Sequence, residues 1–589
     1  MKDLPLGLAS FEEIRLEGNV YADKTEFLRK LLKSRKPYFL SRPRRFGKTL
    51  LVSTLEAILR GRRELFQGLW IDSSDYDWTA YPVIHLSMDS IYSDDPEEVK
   101  KELRHALDTI VSHESFSPDC LELLKSSPSP GTYLASLIQE LHLKHGLKPA
   151  VLIDEYDSPI IRHLDQPEGA DQIRKIFQQF YSALKHAEKD RGFTFITGVT
   201  KFTKASIFSA LNNLVDLTLK RDYSQICGFT LEEFDALFQD HLVETLAYLK
   251  NEADWAADWT IEDLKREILA WYDGYSWDGE TRVLNPWSVL NFFDSNSFSN
   301  YWYNSGNPNY IISVLKRKNF VLKYFSGENF INERINAIDL NEFSPLPVLF
   351  QAGYLTVKET RYEGKSKSYC LSSPNLEVTV SLCAKFLTFQ KIDELDLDTL
   401  KLRAEPVGAA FQQNDALALE EAFHQFLSFL PVKLHSPSEG FYQTCLFFAL
   451  ALAGQPPKVE EPTGDGFIDA VLEVGDQKAG GKNIFIIELK YVPLTDLSGS
   501  QTGEVGTKPK KIDKSQNAAR IKAILENKAQ EALAQIEEKN YASKYLGLGH
   551  KVFKTALIVG ERTEVKAIIE EIDSESSFEG SLGVIGDHR

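Results

Sequence analysis

The sequence predicts an α/β protein of several domains: a parallel sheet covered by helices, a helical lid region with a winged-helix-like element, and a small second α/β domain. Three observations predict it. In the first third of the 589 residues, short near-continuous apolar runs alternate with helical patterns. Strands that lack polar alternation are buried on both faces, as in a parallel sheet. After about residue 225 the style changes to helices, aromatics and turn residues. From Ser436 onward a helix, two strands, a long helix and a further strand follow one another, which makes a small domain of its own.

The length allows roughly three to five domains. The expected boundaries are 1–224 for the parallel-sheet domain, 225–378 for the lid region, 379–430 for a helical linker and 431–589 for the last domain. In the first, "PYFLS" (37–41), "PVIHLSM" (82–88), "PAVLIDE" (149–155), "FTFITG" (193–198) and "LVDLTL" (214–219) read as strands. "KTLLVSTLEAILRG" and "GTYLASLIQELHLKHG" read as helices between them. In the second, Thr230 and Glu233 stand at capping-box spacing in "CGFTLEEFDALF". The run 346–378 reads as a helix and two strands joined by a polar turn, compatible with a winged helix or with a plain helix–hairpin.

Hydrophobic residues make up 43% and charged residues 26%, an ordinary globular composition. Five scattered cysteines with no C-x-x-C pair argue against a disulfide framework or zinc knuckle and for a reducing compartment. No apolar run is long enough to span a bilayer or to serve as a signal peptide, so no membrane partner and a cytoplasmic location are expected. The net charge of −18 argues against a surface coated for nucleic acid. A nucleic-acid contact would therefore be local, and two basic patches qualify, 33–48 and 508–522.

"FLSRPRRFGKTLLVS" (39–53) ends as a phosphate loop ends, with Gly47, Lys48 and Thr49, but Arg42 stands where the first glycine of G-x-x-x-x-G-K-[ST] belongs. Such a loop cradles phosphate with backbone N–H groups at a helix N-terminus; its lysine adds a charge and its hydroxyl reaches Mg²⁺. Here a strand precedes the loop and a helix follows, which puts Lys48 and Thr49 where that chemistry needs them. An arginine before proline is held extended, so the loop cannot wrap as usual at its first residue. Arg44 and Arg45 are candidates to reach phosphate directly. "PAVLIDEYDSP" ends a buried strand with Asp154, suited to hold Mg²⁺ through water, and Glu155, suited to activate the attacking water. Thr197, at the end of "FTFITG", is either a γ-phosphate sensor or a strand cap. Together these make the first domain a P-loop NTPase sheet with a non-standard nucleotide site.

A second constellation lies in "GFIDAVLEVGDQKAGGKNIFIIELKY", with Asp469 on one strand and Glu488-x-Lys490 on the next. Residues two apart on a strand share a face, so Glu488 and Lys490 project together. Asp469 and Glu488 can hold Mg²⁺ against a phosphodiester while Lys490 orients water or stabilises the phosphorane. This is the D…E-x-K signature of PD-(D/E)xK nucleases. Glu439, opening the preceding helix, and Gln535, on the following one, support it. A salt-bridged edge strand would show the same spacing. The patch 508–522 would then guide a phosphate backbone or serve as a solvated linker.

The runs "YADKTEFLRKLL", "YFLSRPRRFGKTLLVSTLEA", "VLIDEYDSPI", "FITGVTKF", "WYDGYSWDGETRVLNPWSVLNFF" and "FQAGYLTVK" resemble, in order, the bacterial AAA-ATPase-like family. "GFIDAVLEV", "FIIELKY" and "ALAQIEEKNYASKY" resemble the PD-(D/E)xK nuclease-superfamily domain that follows in that family. The resemblance covers nearly the whole chain, and "RPRRFGK", with its missing glycine, is typical of the family's loop. It implies ATP and Mg²⁺ as cofactors, with Lys48, Thr49 and Asp154 in the ATP site and Asp469, Glu488, Lys490 and Gln535 at the nuclease site. The residues themselves add Arg44, Arg45, Phe46, Gly47 and Thr197 as candidates around the nucleotide and Glu155 as its catalytic residue, with Thr49 and Asp154 expected on its metal and Asp469 and Glu488 on that of the nuclease site. Phe467, where relatives often carry a basic residue, and the long insertion 491–520 depart from the pattern and bear on substrate binding.

The leading expectation is an ATPase whose nucleotide state controls a Mg²⁺-dependent nuclease acting on DNA or RNA. The alternative is an ATPase switch whose last domain only binds nucleic acid or a protein. A homo-oligomer is open, and Arg44, Arg45, Arg162 and Arg221 are candidates for an arginine finger.

Overall fold

The computed structural model describes residues 1–34, 36–162, 167–202, 213–305, 329–331, 335, 338, 345–388, 397–430, 438–455, 457–463, 466–475, 482–493, 514–546, 550–561 and 563–572. The chain divides into two compact units that part between Val378 and Thr379.

The first unit is built on five parallel strands: β1 (Pro37–Ser41), β2 (Val83–Ser87), β3 (Ala150–Asp154), β4 (Thr194–Gly198) and β5 (Val215–Asp216). Their order is β2-β3-β4-β1-β5. Every residue of β1, β3 and β4 is buried, as their unbroken apolar character requires of strands covered on both faces. The fifth expected strand is only two residues long, and a turn begins at Thr218 while Leu217 and Thr218 still bond to β1. Helices Lys48–Leu59, Pro96–Ser112, Pro130–His145 and Pro167–His186 connect the strands. Pro130 follows a reciprocal cap between Ser129 and Thr132, which satisfies the helix's first free N–H groups. Because β4 lies between β1 and β3, the carboxyl ends of these strands bring residue 42, Asp154 and Thr197 to one edge, where open α/β sheets bind ligands.

Helices Leu231–Leu237, Gln239–Glu252, Ile261–Tyr272 and Pro286–Ser295 follow and pack around Phe229, Phe234, Phe238 and Phe293. Thr230 and Glu233 cap the first of these reciprocally. A three-stranded antiparallel sheet then forms from β6 (Asn329–Ile331), β7 (Thr356–Glu363) and β8 (Ser366–Ser372), in the order β6-β8-β7. Helix Pro345–Ala352 before the β7–β8 hairpin is packed inward through Val348, Leu349, Phe350 and Gln351, and the Gln351 side chain accepts a hydrogen bond from the Lys201 N–H (2.6 Å).

The second unit holds helices Leu397–Gln413, Ala416–Phe429 and Glu439–Leu452 and a mixed sheet. Its strands are β9 (Lys458–Thr463), β10 (Gly466–Gly475), β11 (Lys482–Val492), β12 (Lys551–Gly560) and β13 (Val565–Glu571), ordered β13-β12-β11-β10-β9. β11 and β12 are parallel and the other neighbours antiparallel. A parallel pair needs a crossover, and helix Lys514–Glu538 lies on that connection. Phe485 stacks on Phe553 (4.9 Å between centroids) and meets Phe411 edge-on, at the centre of the unit's core.

Of the basic patch 508–522, residues 508–513 lie outside the described residues, and so does most of the insertion; Arg520 and Lys522 are exposed on helix Lys514–Glu538. Phe467 is on β10, with its side chain outside the described residues. Cys120, Cys227, Cys370 and Cys445 are buried and unbridged. Among the described residues no helix is long and apolar enough to cross a membrane.

Candidate functional site

Arg42 is fully buried, and its guanidinium is spent on the protein. Nη1 donates to the carbonyls of Ser41 (2.9 Å) and Thr218 (3.0 Å), Nη2 donates to that of Tyr223 (2.9 Å), and the group lies 3.9 Å from the Trp277 ring centre. Burial lowers its pKa to about 10. The residue that replaces the first glycine is therefore a bolt between β1 and the segment after β5. Arg42→Gly is expected to lower unfolding free energy by about 3 kcal/mol, because it strands three carbonyls and leaves a cavity. Chemical denaturation measures this, and an unchanged midpoint would contradict the role.

Beyond Arg42 the backbone turns through left-handed conformations at Arg45 (φ 65°) and Gly47 (φ 82°). The second suits glycine; the first is strained for arginine and belongs to the tight winding of the loop. Phe46 is buried edge-on against Tyr275 (4.7 Å) and Trp277 (5.8 Å), so only its backbone is available to a ligand. Arg44, Arg45, Gly47 and Thr49 are exposed, and Arg45 stacks on Trp287 at 4.3 Å. Lys48 is buried at the head of its helix and donates to the carbonyls of Arg42 (3.0 Å) and Pro43 (2.8 Å). Burial pulls its ammonium below the ordinary range, against the attraction of Glu155, Asp154 and Asp157.

Asp154, at the end of β3, accepts hydrogen bonds from the Thr197 hydroxyl and from the Glu155 N–H (3.1 Å). Thr197 thus serves Asp154 directly, from the neighbouring strand end. Glu155 adopts a left-handed φ of 51°. Burial pushes its carboxyl up to about 7; Lys48 opposes this and the Asp154 charge adds to it. Asp157, which the motif reading passed over, accepts from the N–H groups of Val199 (3.1 Å) and Thr200 (2.5 Å) and from the Thr200 hydroxyl (2.5 Å). The third acid of "IDEYD" was its only sequence signal.

A cavity of about 730 Å³ opens along the loop, Lys48, Thr49 and Glu155, and extends to an apolar wall that includes Val20, Ile226, Phe229 and Leu290. Trp287 forms part of it. Of the four arginine candidates, Arg44, Arg45 and Arg162 line this cavity. Arg162 is tied to the Asp89 side chain and to the carbonyl of Ile91 (2.5 Å), whereas Arg221 pairs with Glu280 and is not on the lining.

Sequence reasoning gave no role to Trp302, which stands between Tyr301 and Tyr303 in a run that resembles the family, or to Glu377 at a helix start, since neither spacing carries a chemical motif. Burial pushes Glu377 up to about 8, while hydrogen bonds from Ser288 and Trp302 oppose the shift. Its value exceeds the ordinary 4.5, so between these values the folded chain binds the proton that the unfolded chain releases. Stability from this group is therefore present below that window and lost as pH rises through it. Wild type is expected to lose thermal stability from about pH 5 to about pH 8 more steeply than Glu377→Gln. Parallel melting curves would contradict the shift.

The second constellation also assembles. Glu488 and Lys490 are on β11, the central strand, and Asp469 is on β10 beside it. Asp469 Oδ2 accepts from the Leu489 N–H (2.8 Å). Glu488 Oε1 accepts from Gln535 Nε2 and from Lys490 Nζ (2.8 Å), and Lys490 also reaches Glu439 (3.5 Å). Glu488 is buried, and among the described residues its Oε2 has no hydrogen-bond partner. Burial raises the Asp469 carboxyl. Burial, then the neighbouring Asp469 charge, raises Glu488 to about 7. Lys490 is carried above its ordinary value by Glu488 despite its own burial.

A cation fits here. A divalent cation would relieve both the unmet Glu488 oxygen and the repulsion between the Glu488 and Asp469 carboxylates, and Mg²⁺ takes one or two carboxylates with waters and phosphate oxygens completing its shell. Asp469 and Glu488 would hold it. Among the described residues no group of three or more His, Cys, Asp or Glu converges on a metal position, so the protein would offer two ligands.

Comparison with known proteins matches the two chain regions in which these residues lie. Residues 5–208 match the family model described as "Predicted AAA-ATPase", and residues 437–568 match that of the PD-(D/E)XK nuclease superfamily. An uncharacterized protein in the vnfD 5' region of Azotobacter chroococcum mcd 1 is 29% identical over 569 residues, covering 94% of this chain and 95% of that relative. No solved structure matches the chain. The chain thus joins a domain of the AAA-ATPase-like family to a C-terminal domain of the PD-(D/E)XK nuclease superfamily.

Proposed function

We propose that the first unit binds and hydrolyses ATP, that the second cleaves DNA or RNA with Mg²⁺, and that nucleotide state controls cleavage. The observation that carries this reading is the buried Glu488, tied on one oxygen by Gln535 and Lys490 and orphaned on the other. An unmet buried carboxylate oxygen is costly, and a bound cation would satisfy it.

In the nucleotide site, the loop's backbone N–H groups and Lys48 would take the phosphates, and Thr49 and Asp154 would hold Mg²⁺, which would supply charge to them. Thr197 holds Asp154 in place, and the apolar wall accepts the base. Glu155, with a pKa near neutrality, is suited to take the proton of the attacking water. Arg44 and Arg45 stand exposed where they can follow the phosphate charge. In the nuclease site, Mg²⁺ supplies a polarised phosphodiester and an activated water. Asp469 is oriented by the Leu489 N–H, Gln535 fixes Glu488, and Lys490 brings a charge to the scissile phosphate. The finer division at 1–224, 225–378, 379–430 and 431–589 is part of this proposal.

The control is tested with Glu155→Gln, which removes the base and prolongs the ATP-bound state. The expected result is cleavage shifted in the same direction by Glu155→Gln plus ATP and by wild type plus a non-hydrolysable ATP analogue. Cleavage indifferent to both would remove nucleotide control and leave two independent activities. The net charge of −18 favours a second reading, in which the last domain binds nucleic acid or protein without cutting it. That version predicts Mg²⁺-independent binding and no products.

A further inference from the structure

The 42–47 loop is held by buried groups outside its own motif. The Trp302 indole Nε1 donates to the Arg44 carbonyl (3.0 Å). The Trp302 backbone N–H donates to Glu377 Oε1 (2.6 Å), and Glu377 Oε2 accepts from the Ser288 hydroxyl (2.7 Å). Glu377 is wholly buried, and Trp302 nearly so. A buried carboxyl group is costly unless its oxygens are hydrogen-bonded, and both are, through short bonds.

The indole has little room to move. It packs against Tyr354 (5.1 Å between centroids) and Tyr275 (6.4 Å), and Tyr275 in turn meets Phe46 of the loop. Gly353 closes the remaining side: a Cβ there would come within 2.8 Å of Pro43 and 3.2 Å of Trp302, at φ +92°. Ser288 belongs to the first turn of helix Pro286–Ser295, whose Trp287 stacks on Arg45. Glu377 therefore ties Trp302 to the helix that carries Trp287, two of the aromatic residues that touch the loop.

The consequence is geometric. Lys48 holds the carbonyls of Arg42 and Pro43, and Trp302 holds that of Arg44, so three successive carbonyls of the loop are engaged by side chains. A trans peptide sends its N–H opposite to its C=O. Trp302 is not on the cavity lining and Arg45 is, so anchoring the Arg44 carbonyl on Trp302 presents the Arg45 N–H toward the cavity. The left-handed Arg45 makes this stretch a concave run of N–H groups of the kind that accepts anions.

We propose that Glu377 and Trp302 are positioning residues for nucleotide phosphate, fixing the Arg44–Arg45 peptide so that its N–H faces the bound phosphate. This rests on the reading of residues 42–49 as a phosphate loop. The test is titration of full-length protein with a fluorescent ATP analogue and Mg²⁺, comparing wild type, Trp302→Phe, Glu377→Ala, Glu377→Gln and Lys48→Ala, with melting curves for each. Trp302→Phe keeps an aromatic ring, smaller than the indole, and removes one hydrogen bond to the loop. It is expected to weaken binding about tenfold, as is Glu377→Ala. Glu377→Gln keeps an acceptor for the Trp302 N–H and can donate to the Ser288 hydroxyl, so its affinity is expected within about twofold of wild type. Wild-type affinity in Trp302→Phe would overturn the proposal. So would Glu377→Gln binding as weakly as Glu377→Ala, since an amide that can form both hydrogen bonds would then fail to replace the acid. Equal affinities in wild type and Lys48→Ala would instead overturn the nucleotide reading itself, and the proposal with it.

Discussion

Glu488→Ala and Lys490→Ala are each expected to reduce nucleic-acid cleavage at least about a thousandfold, equivalent to losing about 4 kcal/mol of transition-state stabilisation. The two losses have different origins. Glu488→Ala removes a carboxylate whose free oxygen is the best-placed metal donor in the site. It is expected to abolish Mg²⁺ binding to the second unit as well as cleavage. Lys490→Ala leaves both carboxylates but removes the cation bonded to Glu488, so metal binding should persist while turnover fails. Gln535→Ala frees the oxygen that Gln535 holds and is expected to cost about 10- to 100-fold, as loss of an orienting partner does. Isothermal titration with Mg²⁺ beside a cleavage assay separates these patterns. Equal cleavage by wild type and Lys490→Ala would remove the nuclease assignment from this site.

Lys48→Ala is expected to weaken ATP binding at least about a hundredfold, because the lysine is the buried cation at the head of the helix and its charge-assisted bonds are the strong ones in such a site. One complication is structural. Lys48 also holds the carbonyls of Arg42 and Pro43, so its loss loosens the loop it belongs to. Lys48→Met keeps most of the buried stem and removes the charge. Both variants should lose affinity, but Lys48→Met should melt closer to wild type. Undiminished affinity in both would show that the loop does not bind nucleotide phosphate.

What was legible in the sequence was what local patterns encode. Apolar runs marked β1 to β4 because strands buried on both faces have no polar alternation, and the alternation with helices marked a parallel sheet. E-x-K spacing placed Glu488 and Lys490 together because side chains two apart share a strand face. Other elements were not legible. β9 and β13 are edge strands carrying charged residues such as Glu460 and Lys566, which blurs an apolar signal. β6 contributes only three residues, too few to show a period. The sequence showed that Arg42 departs from a phosphate loop, yet its bonds to Thr218 and Tyr223 depend on chain segments more than 170 residues away. Trp287, Trp302 and Glu377 likewise act on the loop through tertiary contacts alone. The burial that raises Glu155 and Glu488 toward neutrality is of the same kind, since it follows from what packs around a strand end.

The most direct test of a nucleotide-controlled nuclease is cleavage of single- and double-stranded DNA and RNA by purified full-length protein with Mg²⁺, with and without ATP, beside Glu488→Ala. The account predicts products that require Mg²⁺ and Glu488 and whose rate changes when ATP is added. Products that survive Glu488→Ala, or intact substrates throughout while ATP is still hydrolysed, would contradict it.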